Sequence, residues 1–185
     1  MKILREYNKY EDYVSHQKEK TLNHQRREDW LKNREERIQM FYNHFERVKN
    51  VFNAGRALCV CARMGEEVEA LRKHGMGAIG IDLVPYLPWV IEGDAHSIPF
   101  EDNEFDFVFS NSFDHSIVPD VFVAEMLRVL KIDGFGVLHL QVTEDVDVYA
   151  ENTITNPYDV ASYFEICQVY KLEDDIYNYE ILFKK

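Results

Sequence analysis

Positive charge, glycine and cysteine are all scarce in this chain, and each shortage removes a class of explanation. Among 185 residues there are 21 Lys and Arg against 33 Asp and Glu, a net charge of −12, with 8 Gly, 5 Pro and 3 Cys. The cysteines Cys59, Cys61 and Cys167 are too few and too unevenly spaced for a disulfide framework. No His or Cys follows at zinc-ligand spacing, so no metal site is expected. Cys59 and Cys61 read as reduced core thiols sharing one face of a strand. No apolar run reaches the roughly 18 residues of a membrane span, and the opening MKILREYNKY has no signal-peptide core, so the expected address is the cytoplasm. The acidity is uneven. Residues 1–50 carry 12 Lys/Arg against 9 Asp/Glu, and residues 51–185 carry 9 against 24. So acidic a body repels phosphate backbones, which disfavours nucleic acid and favours a small-molecule substrate.

What is present is a globular composition, 46% hydrophobic and 29% charged, with length for one domain and an appendage. The appendage is residues 1–50. From Asp29 onward Leu31, Ile38, Phe41, Phe45 and Val48 recur on one helical face, with Trp30 and Tyr42 beside it. Such a helix packs on the following domain, closes over it as a lid, or serves self-association. The segment EDYVSHQKEKTLNHQRR before it reads as helix with solvated sides, and His16, His24 and His44 read as surface residues.

From Arg56 the pattern switches to alternating blocks. ALCVCA is a strand, MGEEVEALRKHG a helix with Val68 and Leu71 inward and Gly75 as its stop, and GAIGIDLV a second strand. WVIEGDAHSIPF holds a short strand and a turn, FDFVFSNSF a buried strand, and PDVFVAEMLRVLK a helix with Asp120 as its cap. GFGVLHLQV follows the Asp133-Gly134 turn as a further strand. NPYDVASYF is a short helix, and FEICQVYKLED and YNYEILFKK form a hairpin joined by a tight acidic connection. This alternation predicts an α/β domain over residues 51–185, mostly parallel with a closing antiparallel strand and helices on both faces.

In such a sheet ligands bind beyond the carboxyl ends of the strands. CVCARMGEE occupies the first of these positions, with Gly65 as its only glycine and a helix N-terminus behind it. Asp82 ends the next strand, where an acid accepts the hydroxyls of a ribose. Gly93-Asp94-Ala95 and Ser110-Asn111 end the following two. Each residue alone also suits a turn or loop; their succession at strand ends makes one crevice.

Residues of about 56–142 resemble the core of a class I methyltransferase domain of the type-11-like group. VIEGDAHSIPFEDNEFDFVFSNSFDHSIVPDVFVAEMLRVLKIDGFGVLHL is similar to that family along most of its length: Gly-Asp-Ala, apolar-Pro-Phe, Phe-Asp before a strand, then Arg-Val-Leu-Lys and a Gly turn. The resemblance implies a Rossmann-like fold with a seven-stranded sheet and S-adenosylmethionine as cofactor, S-adenosylhomocysteine being the product. It further implies that Asp82 holds the ribose, that Leu83, Asp94 and Ala95 meet the adenine, and that Ser110 and Asn111 lie near the methionine end. The opening loop departs from the family, which has an acid where Cys59 stands and glycines where Cys61 and Arg63 stand. The stretch Ala62-Arg63-Met64-Gly65-Glu66-Glu67-Val68 is similar to a subgroup with this altered loop, so Arg63 is expected to act as a substitute anion contact.

The function expected is methyl transfer to a small-molecule acceptor, which asks mainly for alignment and, where a proton must leave, a base. His115 and Asp114 are the candidates. No Asn/Asp-Pro-Pro-Tyr/Phe stretch follows the fourth strand, so the acceptor atom is expected to be oxygen, carbon or a small-molecule amine. Trp89, Tyr149 and Tyr158 are available as pocket walls, with the stretch TEDVDVYAENTITNPYDV and the N-terminal helix as roof. The alternative is a non-catalytic binding protein on the same scaffold.

Overall fold

The computed structural model describes residues 1–52, 55–145, 147–173 and 176–185. Its helices are α1 (Tyr10–Leu22), α2 (His24–Lys32), α3 (Arg34–Val48), α4 (Glu66–Lys73), α5 (Pro119–Val129) and α6 (Pro157–Ala161). Its strands are β1 (Lys2–Ile3), β2 (Arg56–Val60), β3 (Gly77–Asp82), β4 (Val90–Glu92), β5 (Phe105–Ser110), β6 (Leu130–Leu140), β7 (Asn152–Thr153), β8 (Ile166–Lys171) and β9 (Tyr179–Lys184). Among the described residues no helix is long and apolar enough to cross a membrane.

Seven strands form one sheet in the order β4-β3-β2-β5-β6-β9-β8, parallel from β4 to β6, with β9 antiparallel to both its neighbours. Strand order reverses between β2 and β5, which is where such sheets open a crevice. Strands buried on both faces need apolar side chains on both. Leu58, Val60, Val108 and Leu138 accordingly pack with α5 and α6 on one side, while Ala57, Cys59, Phe107 and Phe109 pack with α3 and α4 on the other. The expected hairpin is β8–β9; its connection is the longer stretch 172–178 rather than a tight one, and residues 174–175 within it lie outside the described residues.

The aromatic face of the N-terminal region is core. Ile38, Phe41 and Phe45 have no exposure, and the Phe45 ring sits 5.0 Å from Phe109. Burial of a Phe side chain stabilises by roughly 1.5–3 kcal/mol, enough for two of them to fix α3 on the sheet. The helix expected from Asp29 is in fact two helices, since the chain breaks at Asn33 and leaves Leu31 on α2, half exposed.

Four other expectations are corrected. His44 is buried, 4.7 Å from the His139 ring, and half-buried His16 stacks on Tyr149 at 5.1 Å; His24 is exposed. Cys59 and Cys61 do not share a face, because β2 ends at Val60 and Cys61 turns to the opposite cluster. Asp120 does not cap α5: the helix begins with Pro119, whose fixed φ suits the first turn, and Asp120 lies inside that turn. The Asp133-Gly134 turn is an irregularity within the long strand β6, with Asp133 at φ 65° and a register shift against β5. One element was not foreseen. β1 pairs with β7 and ties the first residues to the segment after β6.

Candidate functional site

At the carboxyl ends of β2, β3, β4 and β5 the chain encloses a cavity of about 310 Å³, at the lower end of the roughly 300–1,000 Å³ of ligand pockets. Its floor begins with the loop after β2. Cys61 and Arg63 have φ of 60° and 46°, left-handed values that L side chains rarely adopt, and Gly65 follows at 74°. Left-handed backbone costs a non-glycine residue about 1–2 kcal/mol. The loop thus holds a glycine-type conformation without the glycines, at two strained positions on either side of Ala62 that point to a selected geometry.

What holds this shape is backbone hydrogen bonding to Asp82, which is 9% exposed at the end of β3. The Arg63 N–H donates to one of its carboxylate oxygens at 2.9 Å, and the Val84 N–H donates to the other at 3.0 Å. Burial pushes this carboxyl above its usual range, against the pull of those two N–H groups. Ala62 N–H adds a bond to the Ile81 carbonyl at 2.8 Å. Beside Asp82 the floor continues with Leu83, Gly93, Ala95 and Asn111. Asp94 lines it too. Burial pushes Asp94 up, but hydrogen bonds from His96 and from the Tyr10 hydroxyl (2.6 Å) bring it below its usual value.

The roof is the N-terminal region. Tyr13, Gln17, Lys20 and Thr21 descend from one face of α1, Arg26 and Trp30 from α2, and Arg37 from α3. Trp30 covers the Arg63 guanidinium, 4.1 Å from its carbon to the ring centre. Among the described residues Arg63 Nε is buried with no hydrogen-bond partner, and Glu66 is 3.9 Å from its NH2 group. Glu67, 3% exposed, also lines the cavity. Burial first, and then the adjacent Glu66, push its carboxyl up to about 8.

At the far end stand Asp114 and His115. The His115 Nδ1–H donates to the Tyr149 carbonyl at 2.8 Å, so Nε2 carries the lone pair, and it accepts from Lys20 Nζ at 2.5 Å. Asp114 is 3.7 Å from the same Nε2. Burial lowers the His115 pKa against the opposing effect of Asp114, and burial lowers that of Lys20 to about 8.

Of the residues singled out in the sequence, Cys61, Arg63, Asp82, Leu83, Asp94, Ala95, Asn111, Asp114 and His115 meet in this one cavity. Three lie behind it. Ala62 is fully buried, Gly65 opens α4, and the Ser110 hydroxyl donates inward to the Val60 carbonyl at 2.9 Å. The expected walls are elsewhere: Trp89 lies under Arg72 at 3.8 Å, Tyr158 is 66% exposed, and the Tyr149 ring stacks on His16. From the segment after β6, Gln141 and Asp147 line the cavity instead. Lys20, Arg37, Glu67 and Tyr177 went unforeseen. A polar face on α1 gives no apolar periodicity to read, and only the doubled acid after Gly65 carried a signal.

The residues fit a nucleoside carrying an amino-acid end. Asp82 uses two of its roughly four acceptor directions on backbone N–H groups, which leaves the others open to hydroxyl donors such as those of a ribose. The orphaned Nε of Arg63 offers a donor to a carboxylate.

Comparison with known proteins gives the same direction. The methyltransferase domain family matches residues 58–138. No curated protein matches the chain. A 1,6-didemethyltoxoflavin-N1-methyltransferase from Burkholderia thailandensis, solved with bound 1,6-didemethyltoxoflavin and S-adenosylhomocysteine, is similar in structure. Its TM-score is 0.69 at 12% identity, covering 100% of this chain and 93% of that one. S-adenosylmethionine-dependent methyltransferases from Thermotoga maritima (TM-score 0.65, 15% identity, 92% and 99% covered) and Archaeoglobus fulgidus (0.62, 16%, 80% and 94%) share the fold. At these identities the likeness is one of fold. The strand order, the crevice at the reversal point and the structural likeness together give the chain a Rossmann-like fold that methyltransferases share, and residues 58–138 are similar to the methyltransferase domain family.

Proposed function

We propose that the protein transfers the methyl group of S-adenosylmethionine to a small-molecule acceptor. The observation that carries this reading is Asp82, a buried carboxylate held by two backbone N–H groups in the wall of a cavity at the sheet's reversal point. In this reading Asp82 takes the ribose hydroxyls, and Leu83, Ala95 and Asp94 form the slot for the base. Arg63, clamped under Trp30, takes the carboxylate of the methionine end, with Asn111 and Cys61 along it. Ala62, Gly65 and Ser110 act indirectly, by holding the backbone that presents these groups.

The bound sulfonium supplies an already activated methyl group, so the chain contributes alignment, exclusion of water and management of a proton. Residues 1–50 both pack on and cover a domain of residues 51–185, with α3 lying on the sheet and α1 and α2 serving as the lid. Side chains from α1 and α2 form the roof, and a dry cavity strengthens every electrostatic contact inside it. Asp114 and His115 stand at the acceptor end. Support comes from the fold shared with the 1,6-didemethyltoxoflavin-N1-methyltransferase, which was solved with 1,6-didemethyltoxoflavin and S-adenosylhomocysteine bound. The test is calorimetric titration of S-adenosylmethionine and S-adenosylhomocysteine into the folded protein. Micromolar binding of both is the expected result, and absence of heat with either would overturn the reading.

A further inference from the structure

His115 enters the cavity with both ring nitrogens engaged: Nδ1–H on the Tyr149 carbonyl, Nε2 under Lys20 Nζ. Its lone pair therefore reaches no acceptor unless Lys20 moves away. Lys20 is different. An amine that donates one N–H to His115 keeps a lone pair when neutral, and Lys20 lines the cavity from the face of α1. We propose that Lys20 is the general base for the methyl acceptor and that His115 is its positioning residue, an inference that rests on the methyl-transfer reading above.

Lys20 lies outside the stretch matched to the methyltransferase family, so its role belongs to this chain's own roof. The surroundings suit the task. Burial and the cations Arg63 and Arg26 favour the neutral amine, while Asp114 and Asp147 hold part of the charge back; the balance sits at about 8. A base with a midpoint near the working pH is both available and strong enough to accept a proton. His115 stays neutral beside it because burial lowers its own pKa, so the neutral ring goes on accepting the Lys20 N–H. In the step itself the bond between the acceptor atom and its hydrogen breaks, and the proton passes to Lys20 Nζ. The acceptor atom bonds to the methyl carbon, and the electron pair of the donor's carbon–sulfur bond remains on sulfur. Lys20 then returns the proton to water when the products leave.

The test is NMR titration of protein labelled with ¹³C at lysine Cε, with the Lys20 signal assigned by its absence in Lys20→Arg. A Lys20 midpoint of about 8 is expected, against about 10.4 for ordinary lysines; a Lys20 midpoint above 10 would overturn the proposal without any acceptor in hand. Calorimetry with S-adenosylhomocysteine runs alongside. Wild type and Lys20→Arg binding within threefold of each other separates the base from the cofactor site, whereas no binding by wild type would count against the methyl-transfer reading and leave the lysine midpoint standing. If catechol is methylated, its rate in wild type rises with pH and levels above about 8. Lys20→Arg, which keeps a long hydrogen-bond donor but is no base, should lose at least a hundredfold and the ionisation with it; an unchanged pH profile in that variant would sink the idea.

Discussion

The floor and the roof of the cavity are built by different means. On the floor, functional side chains are fixed by main chain: Asp82 by the N–H groups of Arg63 and Val84, Asp94 by that of His96, and Ser110 on the Val60 carbonyl. On the roof nearly every tie runs through a side chain. Gln17 donates to the Tyr149 carbonyl and to Glu151, Lys20 to His115, Tyr10 to Asp94, and Trp30 lies on Arg63. Main-chain geometry is set by sheet register and changes little with sequence. A floor of this kind serves a shared cofactor, while a roof of side chains is free to differ from one enzyme to the next.

The largest expected effect is on the floor. Asp82→Ala removes the proposed ribose acceptor and the anchor of the left-handed loop together, so S-adenosylhomocysteine affinity should fall at least a hundredfold, about 3 kcal/mol, by calorimetry. Survival of binding would mean that main chain does not define this site.

Arg63→Gly separates conformation from charge. Relief of about 1–2 kcal/mol of left-handed strain offsets glycine's extra unfolded-state entropy of roughly 0.5–1 kcal/mol and the lost contact with Trp30. Thermal stability should therefore hold within about 1 kcal/mol while cofactor affinity drops about tenfold. A parallel fall of both would show that Arg63 is there for the fold.

Glu67 gives a pH signature. Its folded carboxyl is raised from 4.5 to about 8 by burial and by Glu66, so the folded state holds a proton that the unfolded chain releases. The stability this contributes is fully present below about 4.5 and is lost as pH rises toward 8. Glu67→Gln cannot lose it. The midpoint of thermal unfolding of Glu67→Gln relative to wild type should climb between pH 5 and 8, and a flat difference would remove the raised carboxyl.

The smallest effect is on the roof. Trp30→Ala deletes one cation–π contact, worth about 0.5–1 kcal/mol, and should weaken S-adenosylhomocysteine about threefold to fivefold without changing the unfolding midpoint beyond a degree or two.

Legibility in the sequence follows the same division. Runs such as ALCVCA and FDFVFS and the helix around Val68 and Leu71 were readable because burial on a sheet imposes period and composition. The succession of Asp82, Asp94 and Asn111 at strand ends was readable because topology sends strand ends to one place. Lys20 was not. A lysine between His16 and His24 on a polar helix has no periodic signature, and its neighbour His115 is 95 residues away. Trp89 and Tyr158 misled for the converse reason, since an aromatic residue in a turn or in the first turn of a short helix fits a pocket wall and an exposed surface equally well.

By itself the sequence determined the layered α/β body, the crevice and the acids that line its floor, because hydrophobic period and strand-end position are local properties. Only the tertiary structure decided that Cys61 and Arg63 take left-handed turns, that α1 and α2 close over the crevice, and that a lysine from one end of the chain rests on a histidine from its middle. Those outcomes depend on which surfaces bury each other and on the dielectric they create, and neither is written in any single segment.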